Sequence, residues 1–164
     1  FEIMYPLAVI ISSMGYIYHS YIIDRYRVVY CDGIYDLCHN GHKQLFRRCA
    51  AKGDQLLVGV CGDEDSAAYK HKTVMNHEER CAEVEGCKYV SKVIRNAPCF
   101  GIDQQFIDMH GITDVCFGEE YLERWPDPKD DPYYGYCRQI GIAHPIPRTP
   151  GISTTDIITR ITNN

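Results

Sequence analysis

The feature that most constrains this 164-residue chain is an alternation that begins after residue 26. Short β-branched runs take turns with amphipathic stretches of about ten residues. The runs predict strands at 28–31, 56–60, 89–94, 114–117 and 144–146, and the stretches predict helices over 41–52, 77–85, 103–110, 133–139 and 154–162. Strand and helix in turn, five times over, specify a doubly wound α/β fold on a five-stranded parallel sheet, whose ligands lie at the carboxyl ends of the strands. Residues 27–164 are of a size for one such domain. The segment Trp125 to Pro132, WPDPKDDP, reads as a surface loop near the site.

Residues 1–26 form a separate apolar segment. From Ile3 to Ile23 there is no Asp, Glu, Lys or Arg, a run just long enough to cross a hydrocarbon core. It is diluted by Pro6, Gly15 and four tyrosines, so a membrane anchor and a plain N-terminal extension both remain open. Arg25 and Arg27 at its end would keep the remainder of the chain cytoplasmic. Seventeen basic against twenty-two acidic residues give a net charge of −5, which offers no basic field for a nucleic-acid partner. The nine cysteines form no C-x-x-C pair and interrupt apolar runs, the pattern of buried free thiols in a reducing compartment. Their spacing also predicts no structural metal.

Three clusters carry chemistry. The first strand runs into Asp32-Gly33-Ile34-Tyr35 and then His39-Asn40-Gly41-His42 at a predicted helix start. Two imidazoles three apart share one face, Gly41 lets a ligand approach the backbone, and the helix amides favour an anion. A second anion pocket is predicted at Arg148-Thr149-Pro150-Gly151-Ile152-Ser153-Thr154-Thr155. There Gly151 breaks the chain, Ser153 or Thr154 caps the last helix, and Arg148 adds a fixed charge. Two such pockets along one sheet imply a polyphosphate laid across it. Between them in sequence, Lys70 lies in YKHKTVMN, placed to neutralise phosphoryl oxygens.

CDGIYDLCHNGH, VGVCGDE, YKHKTVMNHEER, KYVSKVIRNAP and RTPGISTTDIITRI together resemble, in order and spacing, the cytidylyltransferases of phospholipid synthesis, which act on choline phosphate or ethanolamine phosphate. The resemblance implies a Rossmann-like sheet of the H-x-G-H nucleotidylyltransferase type and transfer of a cytidylyl group from CTP to a phosphorylated amino alcohol. Mg²⁺ would be carried by CTP, and pyrophosphate would leave. It assigns catalysis to His39, His42, Lys70 and Arg148, and CTP binding to those two histidines and Arg148 with Gly33, Ile34, Tyr35, Gly118, Glu119, Gly151, Ile152, Ser153, Thr154 and Thr155. The amino alcohol falls to Asp32, Lys70, Cys99, Tyr121 and Tyr134.

Two positions depart from the family pattern. Cys99 follows Asn96-Ala97-Pro98 where choline enzymes carry Trp and ethanolamine enzymes Tyr, and Gly118-Glu119 stands where choline enzymes have His-Asp. Tyr121, Trp125 or Tyr133 can rebuild the missing wall. The VMN and VIRNAP segments favour choline phosphate; ethanolamine phosphate and glycerol 3-phosphate are the alternatives, and an inactive nucleotide-binding scaffold is the alternative of another class. The resemblance also implies a homodimer.

Overall fold

A computed structural model describes residues 26–69 and 72–163, with Gly15 alone before them. The apolar run 3–23 and Lys70 therefore lie outside the described residues. Five strands, β1 (Val28–Gly33), β2 (Gln55–Cys61), β3 (Lys92–Ala97), β4 (Asp114–Gly118) and β5 (Ala143–Ile146), pair in parallel in the order β3-β2-β1-β4-β5. Among residues 26–163 as described, the strands are connected or followed by α-helices α1 (Asn40–Ala50), α2 (Asp63–Tyr69), α3 (His77–Glu85), α4 (Gln104–His110), α5 (Glu120–Arg124), α6 (Gly135–Gln139) and α7 (Thr154–Thr162), with a 3-10 turn at Pro128–Asp130. Among the described residues, no helix is long and apolar enough to cross a membrane.

Strand alternation divides the core in two. On one face Val29, Cys31, Leu56, Val58 and Val60 pack with Phe46 and Cys49 of α1 and with Cys81 and Val84 of α3. On the other, Tyr30, Leu57, Val115 and Phe117 meet Ile107 of α4 and Cys137 of α6. With β1 central and successive connections running to opposite sides of it, the strand order reverses between β1 and β4, which opens a crevice at their carboxyl ends.

Two differences from the sequence reading have simple causes. The third strand starts at Lys92 rather than residue 89, because Tyr89 and Val90 pack against the core from a turn whose Val90 amide donates to the Cys87 carbonyl. The unpredicted α2 lacks an apolar stripe; it has Asp63, Glu64 and Asp65 in its first turn, where the helix dipole favours negative charge.

Candidate active site

The crevice is a cavity of about 410 Å³. Its anion end begins where β1 stops. Tyr35 and Leu37 hold the left-handed backbone conformation (φ 56° and 49°), which non-glycine side chains rarely adopt, so the turn after β1 must be fixed from outside. Tyr35 is buried, its ring packing edge-on to Phe46 at 4.9 Å and to His42 at 5.3 Å. The buried Asp36 carboxylate accepts from the Val74 and Met75 amides, each at 2.9 Å, and its carbonyl accepts from the Thr154 hydroxyl at 3.0 Å. One residue thus ties together the loop before α1, the segment before α3 and the start of α7.

The two imidazoles cap α1 with the same atom type. His39 Nδ1 accepts from the Gly41 amide at 3.1 Å, and His42 Nδ1 accepts from the His39 amide at 3.4 Å, a reciprocal capping box. A neutral imidazole that accepts at Nδ1 carries its proton at Nε2, so both rings present Nε2–H as a donor. The rings stack at 3.9 Å with 20° between their planes. Burial, with the Arg148 charge in second place, holds His39 below its ordinary pKa and keeps it neutral near pH 7. Gly41 is required here: a Cβ would sit 2.8 Å from His39 Cε1 and 3.3 Å from Ile152 Cγ2.

Facing the imidazoles, Arg148, Ile152, Ser153, Thr154 and Thr155 line the same cavity. Ser153 caps α7, its hydroxyl accepting from the Asp156 amide at 3.1 Å. The Thr149 hydroxyl is buried in this wall without a hydrogen-bond partner among the described residues, a polar atom that a ligand would satisfy.

The far end of the cavity is aromatic around one carboxylate. Asp32 accepts from the Tyr134 hydroxyl at 2.9 Å, and burial raises its pKa to about 6 against the opposing effect of that bond. Tyr134 stacks on Phe117 at 5.0 Å and meets Tyr121 edge-on at 4.9 Å; Tyr121 meets Tyr133 at 5.3 Å and stacks on Trp125 at 5.6 Å. The surface loop that carries Trp125 also anchors this wall. Buried Asp131 accepts from the Tyr133 and Tyr134 amides at 2.9 and 3.0 Å and from Arg138 at 3.0 Å.

Most of the residues expected from the sequence therefore come together: Asp32, Gly33, Ile34, Tyr35, both histidines, Cys99, Gly118, Tyr121, Tyr134, Arg148 and Ile152 to Thr155 all face this cavity. Glu119 and Gly151 do not line it. Glu119 has helical backbone ahead of α5 and its amide donates to the Ile146 carbonyl, whereas Glu120 lies on the wall with its carboxylate folded over Gly118, where a larger side chain would collide with it. Gly151 serves through its backbone, turning the chain at φ 77°. Thr149, which the sequence places in the second anion pocket, also lines the site, as do Asp36, Lys72 and Thr73, which were not foreseen; the Asp immediately after Ile34-Tyr35 was the available signal for Asp36.

A family model described as cytidylyltransferase-like matches residues 30–160. Choline-phosphate cytidylyltransferase A of Rattus norvegicus is 39% identical over 135 residues, covering 81% of this chain and 36% of that protein. A probable ethanolamine-phosphate cytidylyltransferase of Encephalitozoon cuniculi is 37% identical over 133 residues, covering 81% of this chain and 40% of that protein. The chain thus spans well under half the length of these relatives. Among solved structures, the lipopolysaccharide core biosynthesis protein from Thermoplasma volcanium shares the fold, with TM-score 0.56 and 19% identity over 77% of this chain and 98% of that one.

Proposed function

The chain belongs to the cytidylyltransferase-like family, and from that premise we propose that it transfers the cytidylyl group of CTP to a phosphorylated amino alcohol, choline phosphate first among them, with release of pyrophosphate. A phosphate oxygen of the alcohol attacks the α-phosphorus of CTP in line. The new phosphorus–oxygen bond forms as the bond to the bridging α–β oxygen breaks, and no covalent enzyme intermediate is needed. His39 and His42, with Nδ1 committed to the backbone, donate Nε2–H to the non-bridging oxygens as charge builds on them. Arg148 and the start of α7 neutralise the phosphates, and Lys70 belongs to the same role in this proposal. Mg²⁺ travels with the triphosphate as part of the substrate; the groups at this end of the cleft are imidazoles, a guanidinium and hydroxyls, suited to phosphate oxygens.

The observation that carries the reading is that both imidazoles and Arg148 line one cavity together with Asp32 and the tyrosines. Choline over ethanolamine is favoured by the aromatic surface: a trimethylammonium group makes no hydrogen bonds and gains most from π faces beside a carboxylate. Phe117, Tyr121, Tyr133 and Tyr134 provide those faces, and the Tyr134 hydroxyl reaches the Asp32 carboxylate. The test is incubation with CTP and Mg²⁺ plus choline phosphate, ethanolamine phosphate or glycerol 3-phosphate, with pyrophosphate release as readout. Fastest turnover per KM is expected with choline phosphate; preference for ethanolamine phosphate would overturn the headgroup assignment, and silence with all three the enzymatic reading. A homodimer and a cytoplasmic location belong to the same proposal, the first checked by light scattering and the second by fractionation of cells.

A further inference from the structure

Cys61 and Cys99 are the two thiols of the described chain that face the cavity. Cys61 ends β2 and pairs in register with Ala97, the last residue of β3, just after an irregularity in the ladder. Cys99 lies two residues beyond Ala97, in the bend that follows β3, and lines the same cavity as Cys61. The two side chains are neighbours across the strand ends, their sulfurs within reach of a thiol hydrogen bond, and both feel the charge of Asp32. Cys61 is buried and Cys99 half-buried, so one member can be reached from solvent and the other waits behind it. The remaining cysteines lie elsewhere, Cys31, Cys49 and Cys116 being grouped in the core under α1.

We propose that Cys61 and Cys99 form a dithiol modification site at the amine end of the cleft, oxidised to an intramolecular disulfide by low-molecular-weight disulfides of the glutathione type, and that the oxidised form binds the phosphorylated alcohol poorly. The second half rests on the function proposed above; the first does not. The Cys99 thiolate attacks one sulfur of the small disulfide, forming a mixed disulfide and releasing one thiol. Cys61, deprotonated, then attacks the Cys99 sulfur and expels the second small thiol. In total two protein thiols lose two electrons and two protons, and the small disulfide becomes two thiols. Burial holds both thiols above their ordinary range, although the Cys61 hydrogen bond works the other way on Cys99, so the reaction quickens from neutral to alkaline pH.

Closing the pair brings the sulfurs from hydrogen-bond separation to about 2.05 Å, which draws the segment after β3 towards β2. Phe100, next in the chain, stacks on Tyr133 at 5.2 Å, so the movement reaches the aromatic wall. The histidines and Arg148 lie on other elements, at the start of α1 and ahead of α7.

The experiment treats the reduced chain with glutathione disulfide, maps disulfides by mass spectrometry and measures KM for both substrates before and after. The expected result is a cross-link between the Cys61 and Cys99 peptides, KM for choline phosphate raised about tenfold or more, KM for CTP within about twofold, and full reversal by dithiothreitol. In Cys61→Ala and in Cys99→Ser the cross-link disappears and the oxidised-to-reduced ratio of KM returns to about one. Glutathione that stays on Cys99, an absence of reaction, or bridges among other cysteines would overturn the site. A cross-link that leaves KM for choline phosphate unchanged would overturn its effect on the alcohol. Because the mapping needs no turnover, a chain without cytidylyltransferase activity would still report on the site.

Discussion

Burying Asp32 makes this fold less stable, and the cost can be worked out. Holding a carboxyl at about 6 instead of 3.8 disfavours its charged form by about 3 kcal/mol. The sign follows from proton counts. Between those two values the folded chain keeps the proton while the unfolded chain has lost it, so stability falls as pH rises from 3.8 through about 6 and is level above. Asp32→Asn removes the charge yet leaves an oxygen to accept from the Tyr134 hydroxyl. At pH 8 the variant is expected to be more stable by about 1–3 kcal/mol, the upper figure being the full ionisation cost and the lower allowing for partial hydration of a half-buried group. For a chain of this length that raises Tm by roughly 2–12 °C. Near pH 4 the two proteins should melt together, since wild-type Asp32 is then protonated when folded. KM for choline phosphate should meanwhile rise steeply, and in the wild type it should rise as pH falls below about 6. The measurement is calorimetry across pH beside steady-state kinetics. Equal Tm at pH 8, or a stabilisation that persists unchanged at pH 4, would refute the burial argument.

Three further perturbations separate positioning from chemistry. His42→Ala is expected to lower turnover by about 10²–10³ through loss of a charge-stabilising donor, while its capping bond costs only about 1 kcal/mol in urea unfolding; a near-normal rate would remove His42 from the mechanism. Gly59→Ala places a Cβ 2.7 Å from Ala97 Cβ and against the buried Tyr30 hydroxyl, which has no hydrogen-bond partner among the described residues, so a loss of about 1–3 kcal/mol is expected, and Tyr30→Phe in the same chain should recover only part of it because the Ala97 clash stays. Arg80 is fully buried, donating to Asp63 at 2.7 Å and to the Ile34 carbonyl at 2.6 Å, directly beneath the loop that leads to the histidines. Arg80→Ala should cost about 3–5 kcal/mol in denaturant unfolding, and faster amide exchange at Tyr35 to Leu37 should accompany it.

What the sequence made legible, and what it hid, divides along the distance over which each feature is specified. The helix starts that line the cavity were readable because their logic is local. His39, Gly41 and His42 cap one helix within four residues, and Ser153 caps another, so spacing alone fixes which ring and hydroxyl atoms the backbone engages. The five strands were readable because parallel strands buried on both faces are continuous apolar runs. Asp36 was missed because its partners lie 38, 39 and 118 residues away, and no window of sequence contains that knot. Glu120 was missed in favour of Glu119 because the helical backbone begun at Glu119 decides which of two adjacent acids faces the cleft.

The aromatic end shows why such sites resist reading even when their residues are noticed. Tyr121, Trp125, Tyr133 and Tyr134 sit among prolines, acids and glycine, the composition of a surface loop, yet Asp131 and Arg138 fold that loop back so that the rings pack on Phe117. The rings are held mainly by one another, with two amides and one guanidinium gathered by a buried carboxylate. Such a wall can tolerate a lost member. The aromatic lining of the cavity, Phe117, Tyr121, Tyr133 and Tyr134, comes from β4 and the segment between β4 and β5, while β2 and the segment after β3 contribute Cys61 and Cys99. If the proposed dithiol lies at the end of the cleft that takes the amino alcohol, headgroup binding and redox sensitivity should change together when residue 99 is altered, and Cys99→Trp should abolish the second while lowering KM for choline phosphate.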